Sequence, residues 1–282
     1  MRTTETLHTD TMLVFGYRIH VAVRPGRPHA VPLVICNGIG AHLEAFDPLV
    51  DELDPARTVI RFDVPGSGTS PTPLRPYRFG QLAALVTRMV SALGYQRFDV
   101  LGYSWGGALA QQLALQNPRR VRRVVLASTS PGMGSIPGHP LVLSKMLTRR
   151  RHHDPAYAIR VAPGLYGGSV RNDAGSARAI LGTGTPHCDT RGYLYQLFAG
   201  VGWNSLPWLP LICQPTLLLY GNDDPIIPVT NGRIMNMLLR RAELQIFTGG
   251  HLDLLVCPAE FAQRIDRFLG GIPPASSRAK GN

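Results

Sequence analysis

The stretch around Ser104 constrains the fold of this chain more than any other. Residues 98–101 are largely apolar and suit a buried strand, and residues 102–106 match the pattern Gly-x-Ser-x-Gly. In that pattern a strained turn lifts the serine side chain above the end of a sheet, and the two glycines leave room for neighbouring backbone. We therefore predict a strand, a tight turn at Ser104 and then a helix.

Short apolar strands alternate with amphipathic helices over most of the chain. The predicted strands are 12–15, 18–23, 31–36, 57–62, 98–101, 121–127, 215–220 and 243–247, and the predicted helices include 42–53, 79–93, 231–241 and 259–269. The strand at 31–36 is a continuous apolar run, which suits burial on both faces. This alternation predicts an α/β fold with a mostly parallel sheet flanked by helices.

The alternation stops between residues 131 and 211, which are rich in glycine, proline, arginine and aromatic residues. We interpret this segment as a helical cap, inserted into a core that residues 1–130 and 212–272 form together. Residues 273–282 are small or polar residues with proline, and we predict that this tail is disordered. The 282 residues thus suffice for one large α/β domain with its cap.

The composition indicates a protein that neither spans a membrane nor carries an export signal. No stretch approaches the roughly 20 apolar residues that cross a bilayer, and residues 1–10 lack the apolar core of a signal peptide. The cysteines show neither a CxxC pair nor zinc-site spacing, so we interpret them as thiols of a reducing, cytoplasmic compartment. These are Cys36, Cys188, Cys213 and Cys257.

The net charge is strongly positive at +11, and nearly all of the cationic residues are arginines. Two clusters contribute most visibly: four arginines lie within 119–123, and residues 149–151 are arginines followed by His152 and His153. The clusters have two open interpretations, a solvated face or attraction to an anionic surface. No nucleic-acid-binding motif accompanies the charge, so no nucleic acid partner is expected.

A serine hydroxyl needs a general base within hydrogen-bond reach, and the base needs a carboxylate that orients it. In sheets that carry this serine motif, the chain order is serine, acid, histidine, with the last two in loops after late strands. His251 follows two glycines after the strand at 243–247, and we predict that it is the base. Asp224, in the loop after the strand at 215–220, is the predicted acid. Three other carboxylates stay open as alternatives: Asp223, Asp63 and Asp253.

A tetrahedral intermediate needs hydrogen-bond donors for its oxyanion. We predict two backbone N–H donors, that of Trp105 after the serine and that of Ile39 in the loop after the strand at 31–36. Many hydrolases of this class carry His-Gly where this chain has Asn37-Gly38, a change that leaves the backbone donors available. A serine at the turn, where related folds carry cysteine or aspartate, favours acyl transfer to water.

Further segments of the chain point to a particular family. They are residues 22–29, 36–40, 62–66, 76–79, 104–112, 159–163, 165–168, 195–200, 202–203, 214–217 and 223–228. In these segments the chain resembles the intracellular medium-chain-length poly(3-hydroxyalkanoate) depolymerases of bacteria, which have the α/β-hydrolase fold. The cap segments are the specific part, because the core motifs are shared by the whole superfamily. Tyr103 departs from the family, whose serine turn reads Gly-Val-Ser-Trp-Gly.

The resemblance implies a serine hydrolase that cleaves the ester bonds of a water-insoluble polyester. Its triad carries over to Ser104, Asp224 and His251, and an acyl-enzyme releases 3-hydroxy fatty acids or oligomers. The family needs no metal or cofactor. The partner implied is a polyester granule in the cytoplasm, or an ester substrate.

Five aromatic residues of the predicted cap are candidates for substrate binding. They are Tyr193, Tyr195, Phe198, Trp203 and Trp208. Three roles are open for them: lining an acyl pocket, lying against a polymer surface, or forming the cap's own core.

Two other functions are compatible with the same residues. One is a small-molecule carboxylesterase or lactonase of this fold, which a substrate panel would distinguish. The other is a non-catalytic protein that binds a ligand or a polyester granule, which failure of Ser104 to react with a fluorophosphonate probe would favour.

Overall fold

The computed structural model of the chain describes residues 8–147, 154–173, 175, 178 and 189–271. Within them, one sheet contains eight strands: β1 (His8–Val14), β2 (Tyr17–Arg24), β3 (Leu33–Cys36), β4 (Val59–Phe62), β5 (Phe98–Tyr103), β6 (Val121–Ala127), β7 (Thr216–Gly221) and β8 (Ala242–Phe247). The strand order is β1-β2-β4-β3-β5-β6-β7-β8. β2 is antiparallel to β1 and to β4, and every other neighbouring pair is parallel. The predicted mostly parallel sheet is confirmed.

Ten α-helices with described bounds accompany the sheet. They are α1 (Asp47–Glu52), α2 (Phe79–Ala92), α3 (Trp105–Gln116), α4 (Pro140–Leu147), α5 (Pro155–Tyr166), α6 (Gly168–Asn172), α7 (Thr190–Gly200), α8 (Val229–Leu238), α9 (Asp253–Val256) and α10 (Pro258–Gly270). α2, α3 and α8 pack against one face of the sheet, and α1 and α10 pack against the other. The sheet is therefore covered by helices on both faces.

The central strands are buried because their alternate side chains enter two different apolar layers. In β3, Val34 belongs to the layer under α2 and α3, whereas Leu33 and Ile35 belong to the layer under α1 and α10. All four residues of β3 are fully buried. A strand covered on both faces reads as a continuous apolar run, which explains the pattern at 31–36.

The prediction of one continuous helix over 42–53 is wrong. The chain forms a short 3-10 helix, Leu43–Phe46, and α1 begins only at Asp47. Pro48 lies in the first turn of α1, where a missing N–H breaks no helical hydrogen bond. Proline in this place starts a new helix instead of continuing the previous one.

The segment between β6 and β7 contains α4 to α7 and a 3-10 helix, Leu206–Leu211. This is the stretch in which the sequence predicts a helical cap, and its domain bounds stay a prediction. Cys188, the arginine cluster at 149–151 and the predicted disordered tail at 273–282 lie outside the described residues. Of the remaining cysteines, Cys36 is buried, and the Cys36, Cys213 and Cys257 thiols are free.

The arginine cluster at 119–123 lies at the amino end of β6, and much of it is bound within the protein. Arg122 pairs with the fully buried Asp99. Arg120 donates to the Tyr95 and Gln96 carbonyls. The nucleophile candidate follows the carboxyl end of the adjacent parallel strand β5, about 20 Å away for a strand of this length. This arginine cluster therefore lies at the opposite end of the strands from Ser104.

No helix among the described residues is long and apolar enough to cross a membrane. The carboxyl ends of β3, β5, β7 and β8 meet at one edge of the sheet because these strands run parallel to one another. Loops that follow such ends lie together, which is where ligands bind in open α/β sheets. The predicted oxyanion loop, serine, acid and histidine follow these four strands in that order.

Candidate active site

Ser104 lies in a strained turn between β5 and α3. Its backbone has φ +54° and ψ −120°, a region that residues other than glycine rarely adopt. Neighbouring strands hold it there: the Ser104 N–H donates to the Ala127 carbonyl at 2.9 Å, and its carbonyl accepts from the Thr129 hydroxyl at 2.7 Å. Strain of this kind persists only where surrounding contacts enforce it.

The glycines on either side of Ser104 are required by close backbone approach. A Cβ on Gly106 would overlap the carbonyl oxygens of Cys36 and Asn37 at the end of β3. A Cβ on Gly102 would overlap Ala110 and the Gly106 carbonyl. The Gly-x-Ser-x-Gly spacing thus brings the serine turn against the predicted oxyanion loop.

Ser104, His251 and Asp224 form one chain of hydrogen bonds. His251 Nε2 lies 3.1 Å from Ser104 Oγ, and His251 Nδ1 lies 2.8 Å from Asp224 Oδ2. His251 and Asp224 are both buried. With Nδ1 donating to the carboxylate, Nε2 carries the lone pair that can accept the serine proton. The three residues that the sequence predicts as a triad therefore lie within hydrogen-bond distance of one another, in the order serine, histidine, aspartate.

Asp224 is itself held firmly. Its second carboxylate oxygen, Oδ1, accepts from the backbone N–H groups of Ile226 and Ile227, each at 2.9 Å. The carboxylate consequently has a fixed orientation, with Oδ2 directed to the imidazole. An oriented carboxylate fixes the tautomer and the ring position of its histidine.

The three alternative carboxylates are engaged elsewhere. Asp223 accepts from the Gly168 N–H at 2.7 Å and pairs with Arg171 at 3.0 Å. Asp63 accepts from two backbone N–H groups, those of Leu43 at 2.8 Å and Thr69 at 3.0 Å. Asp63 therefore braces its own glycine-rich loop.

Asp253 and Asp223 instead connect the candidate triad to the junction of α5 and α6. Asp253 accepts from the Gly250 N–H at 2.9 Å and from the Ser169 N–H at 3.1 Å. Burial raises the pKa of its carboxyl, and these backbone donors act in the opposite direction. The His251 N–H donates to the Tyr166 carbonyl at 2.7 Å. We call residues 166–169 the clamp segment, because they are hydrogen-bonded to the loops that carry Asp224 and His251.

The clamp segment passes so close to these loops that two glycines are needed. Gly167 and Gly168 have φ +66° and +54°, a left-handed conformation that favours glycine. A Cβ on Gly167 would overlap the Asp223 carbonyl, and one on Gly168 would overlap the Gly250 backbone. The pair Gly167-Gly168 is thus required by the close contact between this segment and the loops of Asp224 and His251.

The two predicted oxyanion donors lie beside Ser104. Trp105 is the first residue of α3, so its N–H has no partner inside the helix. Ile39 lines the cavity that also contains Ser104 and His251, and its N–H has no hydrogen-bond partner among the described residues. The next N–H of this loop, that of Gly40, is bound by the buried Gln196 side chain at 2.9 Å. Asn37 is buried, and its side-chain amide has no partner in the described part of the chain.

Tyr103 and Gln196 are two residues at the site to which the sequence analysis gave no role. Tyr103 donates its hydroxyl to the His251 carbonyl at 2.7 Å, and its ring lies 5.2 Å from the imidazole. Burial raises the pKa of this phenol well above its ordinary value, so it stays protonated and donates. Its place beside Ser104 in the motif was a usable signal, whereas no local pattern singles out Gln196.

The five aromatic candidates of the predicted cap have different surroundings. Trp203 lines a cavity with Ser104, and Trp208 packs edge-on against Trp203. Tyr193 is buried and donates to the Met146 carbonyl. Tyr195 donates to the Leu74 carbonyl, and Phe198 is exposed beneath the Arg78 guanidinium. Of the five, Trp203 is thus the one placed to touch a ligand beside the serine.

In the described part of the chain, no group of three or more His, Cys, Asp or Glu side chains is arranged to hold a metal ion. A polarised serine, an oriented imidazole and nearby N–H donors are the components of acyl transfer.

Comparison with known proteins places these features in context. Residues 31–158 match the family described as alpha/beta hydrolase fold. A poly(3-hydroxyalkanoate) depolymerase of Ectopseudomonas oleovorans is 47% identical over 251 residues, which cover 89% of this chain and 88% of that relative.

Two solved structures share the architecture. An enol-lactonase from Burkholderia xenovorans LB400 has a TM-score of 0.77 at 24% identity and covers 93% of this chain and 100% of its own. An esterase from Exiguobacterium antarcticum has a TM-score of 0.78 at 18% identity, with the same coverage of 93% and 100%. These likenesses show the fold alone.

Proposed function

Because this chain belongs to the poly(3-hydroxyalkanoate) depolymerases, ester hydrolases of the α/β-hydrolase fold, we propose that its substrate is a polyester of medium-chain-length 3-hydroxy fatty acids. The observation that carries the proposal is the hydrogen-bonded chain of Ser104, His251 and Asp224, which opens on a cavity at the carboxyl edge of the sheet. The family indicates the polymeric substrate, and the hydrogen-bonded side chains at Ser104 are suited to cleave its ester bonds.

In the proposed reaction, Ser104 Oγ attacks the ester carbonyl while His251 Nε2 takes its proton. The N–H groups of Ile39 and Trp105 stabilise the oxyanion that forms. The C–O bond to the leaving chain then breaks, and the imidazolium returns the proton to the departing alkoxide. Water, deprotonated by His251, then attacks the acyl carbon of the acyl-enzyme. The bond between Ser104 Oγ and this carbon breaks, the imidazolium returns the proton to Oγ, and the 3-hydroxy acid or oligomer is released.

The medium chain length is supported by the cap segments that resemble the medium-chain enzymes and by the apolar walls near Ser104. Tryptophan, phenylalanine and isoleucine side chains line the cavity that contains Trp203, and such walls favour alkyl groups over small polar acids. Tyr103, where the family has valine, is the departure closest to the serine.

The test compares two polyester latexes. We expect the protein to release 3-hydroxy acids from a poly(3-hydroxyoctanoate) latex at least about tenfold faster than from poly(3-hydroxybutyrate), because each methylene bound in an apolar pocket improves kcat/KM severalfold or more. Acid release is measured by chromatography, and p-nitrophenyl octanoate serves as a soluble control. Cleavage of the soluble ester without release from either latex would favour the small-molecule carboxylesterase or lactonase.

We further propose that α7 binds the polymer surface, which would associate the protein with granules in the cytoplasm. Its exposed side carries Leu194 and Phe198, followed by Val201, with Leu74 held alongside through the Tyr195 hydroxyl. Leu74 is 90% exposed and Val201 is 64% exposed. Several exposed apolar side chains on one helix and a neighbouring loop are typical of an interaction surface.

The opposite side of α7 covers the site. The Gln196 side chain accepts from the Gly40 N–H of the oxyanion loop, and its carbonyl accepts from the Trp105 indole at 2.8 Å. A polymer adsorbed on the exposed side would thus lie close to the site, with α7 between it and the oxyanion loop. We call Leu74, Leu194, Phe198 and Val201 the α7 patch.

Replacing Leu74, Leu194 and Val201 together by serine is expected to lower adsorption to the octanoate latex at least about tenfold, since each apolar side chain removed loses burial against the polymer. Adsorption is measured by co-sedimentation, and hydrolysis of p-nitrophenyl octanoate should stay unchanged. The matched control replaces two exposed apolar residues outside the patch, Leu13 and Met237, by serine. An equal loss of adsorption in both variants would contradict a specific role for the α7 patch.

A further inference from the structure

Two separate cavities of about 190 Å³ each open onto Ser104. The base-side cavity is lined by His251, by Ile39 of the oxyanion loop and by apolar residues of α5 such as Ala158. The tryptophan cavity is lined by Trp105, Trp203 and their neighbours on α2 and α3. Among the described lining residues, Ser104 alone is shared by the two cavities.

The size of the cavities indicates that each accommodates only part of an ester. Pockets that enclose a whole drug-sized ligand have volumes of roughly 300–1,000 Å³, and each of these cavities is smaller. The ester bond must lie at Ser104, where the cavities meet. One cavity would then hold the acyl part, and the other would hold the alcohol part.

The chemistry of the serine decides which part goes where. The leaving oxygen must lie within hydrogen-bond reach of His251 Nε2, because the imidazolium gives it a proton. His251 lines the base-side cavity and is absent from the described walls of the tryptophan cavity. The carbonyl oxygen must face the N–H groups of Ile39 and Trp105. The acyl chain must therefore extend away from the imidazole.

We propose that the tryptophan cavity is the acyl site and that the base-side cavity is the site of the leaving alcohol, an inference that rests on the proposed Ser104 chemistry. In a polyester, the acyl site holds the 3-hydroxyacyl unit with its pendant alkyl chain. The base-side cavity holds the hydroxyl end of the departing chain. Once that chain has left, the attacking water occupies the same place beside His251.

The walls of the tryptophan cavity suit an alkyl chain. The Trp105 indole N–H donates to the Gln196 carbonyl, and the Trp203 indole N–H donates to Gln112 at 2.9 Å. Both rings also contact Phe79, with centroid distances of 4.8 and 5.1 Å. Because both indole N–H groups are already paired, these rings present apolar surface to whatever binds.

A matched pair of substitutions tests the assignment. Ala108→Leu adds three carbons in the tryptophan cavity, and Ala158→Leu adds the same three carbons in the base-side cavity. Each variant is assayed on two series of soluble esters. The acyl series runs from p-nitrophenyl acetate to p-nitrophenyl decanoate, and the alcohol series runs from methyl hexanoate to octyl hexanoate.

We expect Ala108→Leu to lower the ratio of kcat/KM for decanoate over acetate at least about tenfold, with an unchanged alcohol series. Ala158→Leu should lower the ratio for octyl over methyl hexanoate by a similar factor, with an unchanged acyl series. The exchanged pattern would overturn the assignment, as would a change of both series by either variant.

Two enlarging variants cover the case in which an added leucine prevents folding. Ile227→Ala widens the tryptophan cavity and Met146→Ala widens the base-side cavity, and each should raise kcat/KM for the longest ester of its own series. Titration with a fluorophosphonate counts folded active sites in every variant. An exchanged pattern would reject the cavity assignment and leave the proposed function standing. Failure of the unmodified chain to cleave any ester would reject both.

Discussion

Ser104→Ala should lower ester hydrolysis at least about 10⁴-fold, because it removes the nucleophile and leaves only substrate binding and the oxyanion donors. The Ser104 Oγ is the hydroxyl that lies within hydrogen-bond reach of the base, 3.1 Å from His251 Nε2. Both p-nitrophenyl octanoate cleavage and 3-hydroxy acid release from the octanoate latex should fall together. A parallel loss on both substrates would show that one serine serves the soluble and the polymeric ester.

The chain offers a close control for this substitution. Ser128 is also a buried serine with positive φ, at +45°, and it follows β6, the strand next to β5. Ser128→Ala tests the effect of losing a hydroxyl at a similar strained position without touching the triad. It should keep kcat within about tenfold of the unmodified chain, since none of its atoms joins the hydrogen-bond chain. Hydrolysis that survives Ser104→Ala would refute the serine mechanism.

Asp224→Asn should lower kcat about 10⁴-fold while the protein stays folded, because an amide cannot orient the imidazole in the tautomer that the serine needs. The shape of the side chain is kept, and the two N–H donors of Ile226 and Ile227 still have an oxygen to bind. Circular dichroism should therefore be unchanged. Burst kinetics with p-nitrophenyl esters would report whether acylation has slowed.

The neighbouring residue supplies the control. Asp223 is exposed and binds Gly168 and Arg171, away from the imidazole. Asp223→Asn should leave kcat within about tenfold of the unmodified chain, because only an exposed pair and one backbone contact are weakened. If Asp223→Asn were as inactive as Asp224→Asn, Asp223 would have to be reconsidered as the acid.

The core of the fold could be predicted because its signals are local. The strand at 98–101 and the Gly-x-Ser-x-Gly turn are specified by adjacent residues, and glycine is required there by contacts that recur whenever this turn meets a sheet. His251 could be placed for the same reason, because it follows a strand and a pair of glycines.

The local pattern favours Asp224 as the acid but leaves Asp223 open as an alternative. Both residues lie in the same loop, and what separates them is the N–H groups that each one meets. Asp223 faces Gly168, which is 55 positions away in the sequence, and Asp224 faces His251, which is 27 positions away. Contacts between residues so far apart in the sequence produce no recognisable pattern in the residues beside either aspartate.

The aromatic residues of the predicted cap show the same limit. Composition marked five of them as candidates, and only packing distinguishes Trp203, which lines the tryptophan cavity, from Tyr193, which supports the Met146 backbone. The walls of the tryptophan cavity come from α2, α3 and residues on either side of β7, so no single stretch of sequence describes it.

The clamp segment bears on how new specificities can be engineered into this scaffold. The segment between β6 and β7 is attractive as a replaceable module, yet its backbone at residues 166–169 shares hydrogen bonds with the loops of Asp223 and His251. Transplanting this segment from a relative would disturb His251 unless the donor keeps two consecutive glycines at positions 167 and 168. Replacing α7 would disturb the oxyanion loop, because Gln196 binds the Gly40 N–H. Grafting is therefore best confined to α4, with junctions that leave the clamp segment and α7 native.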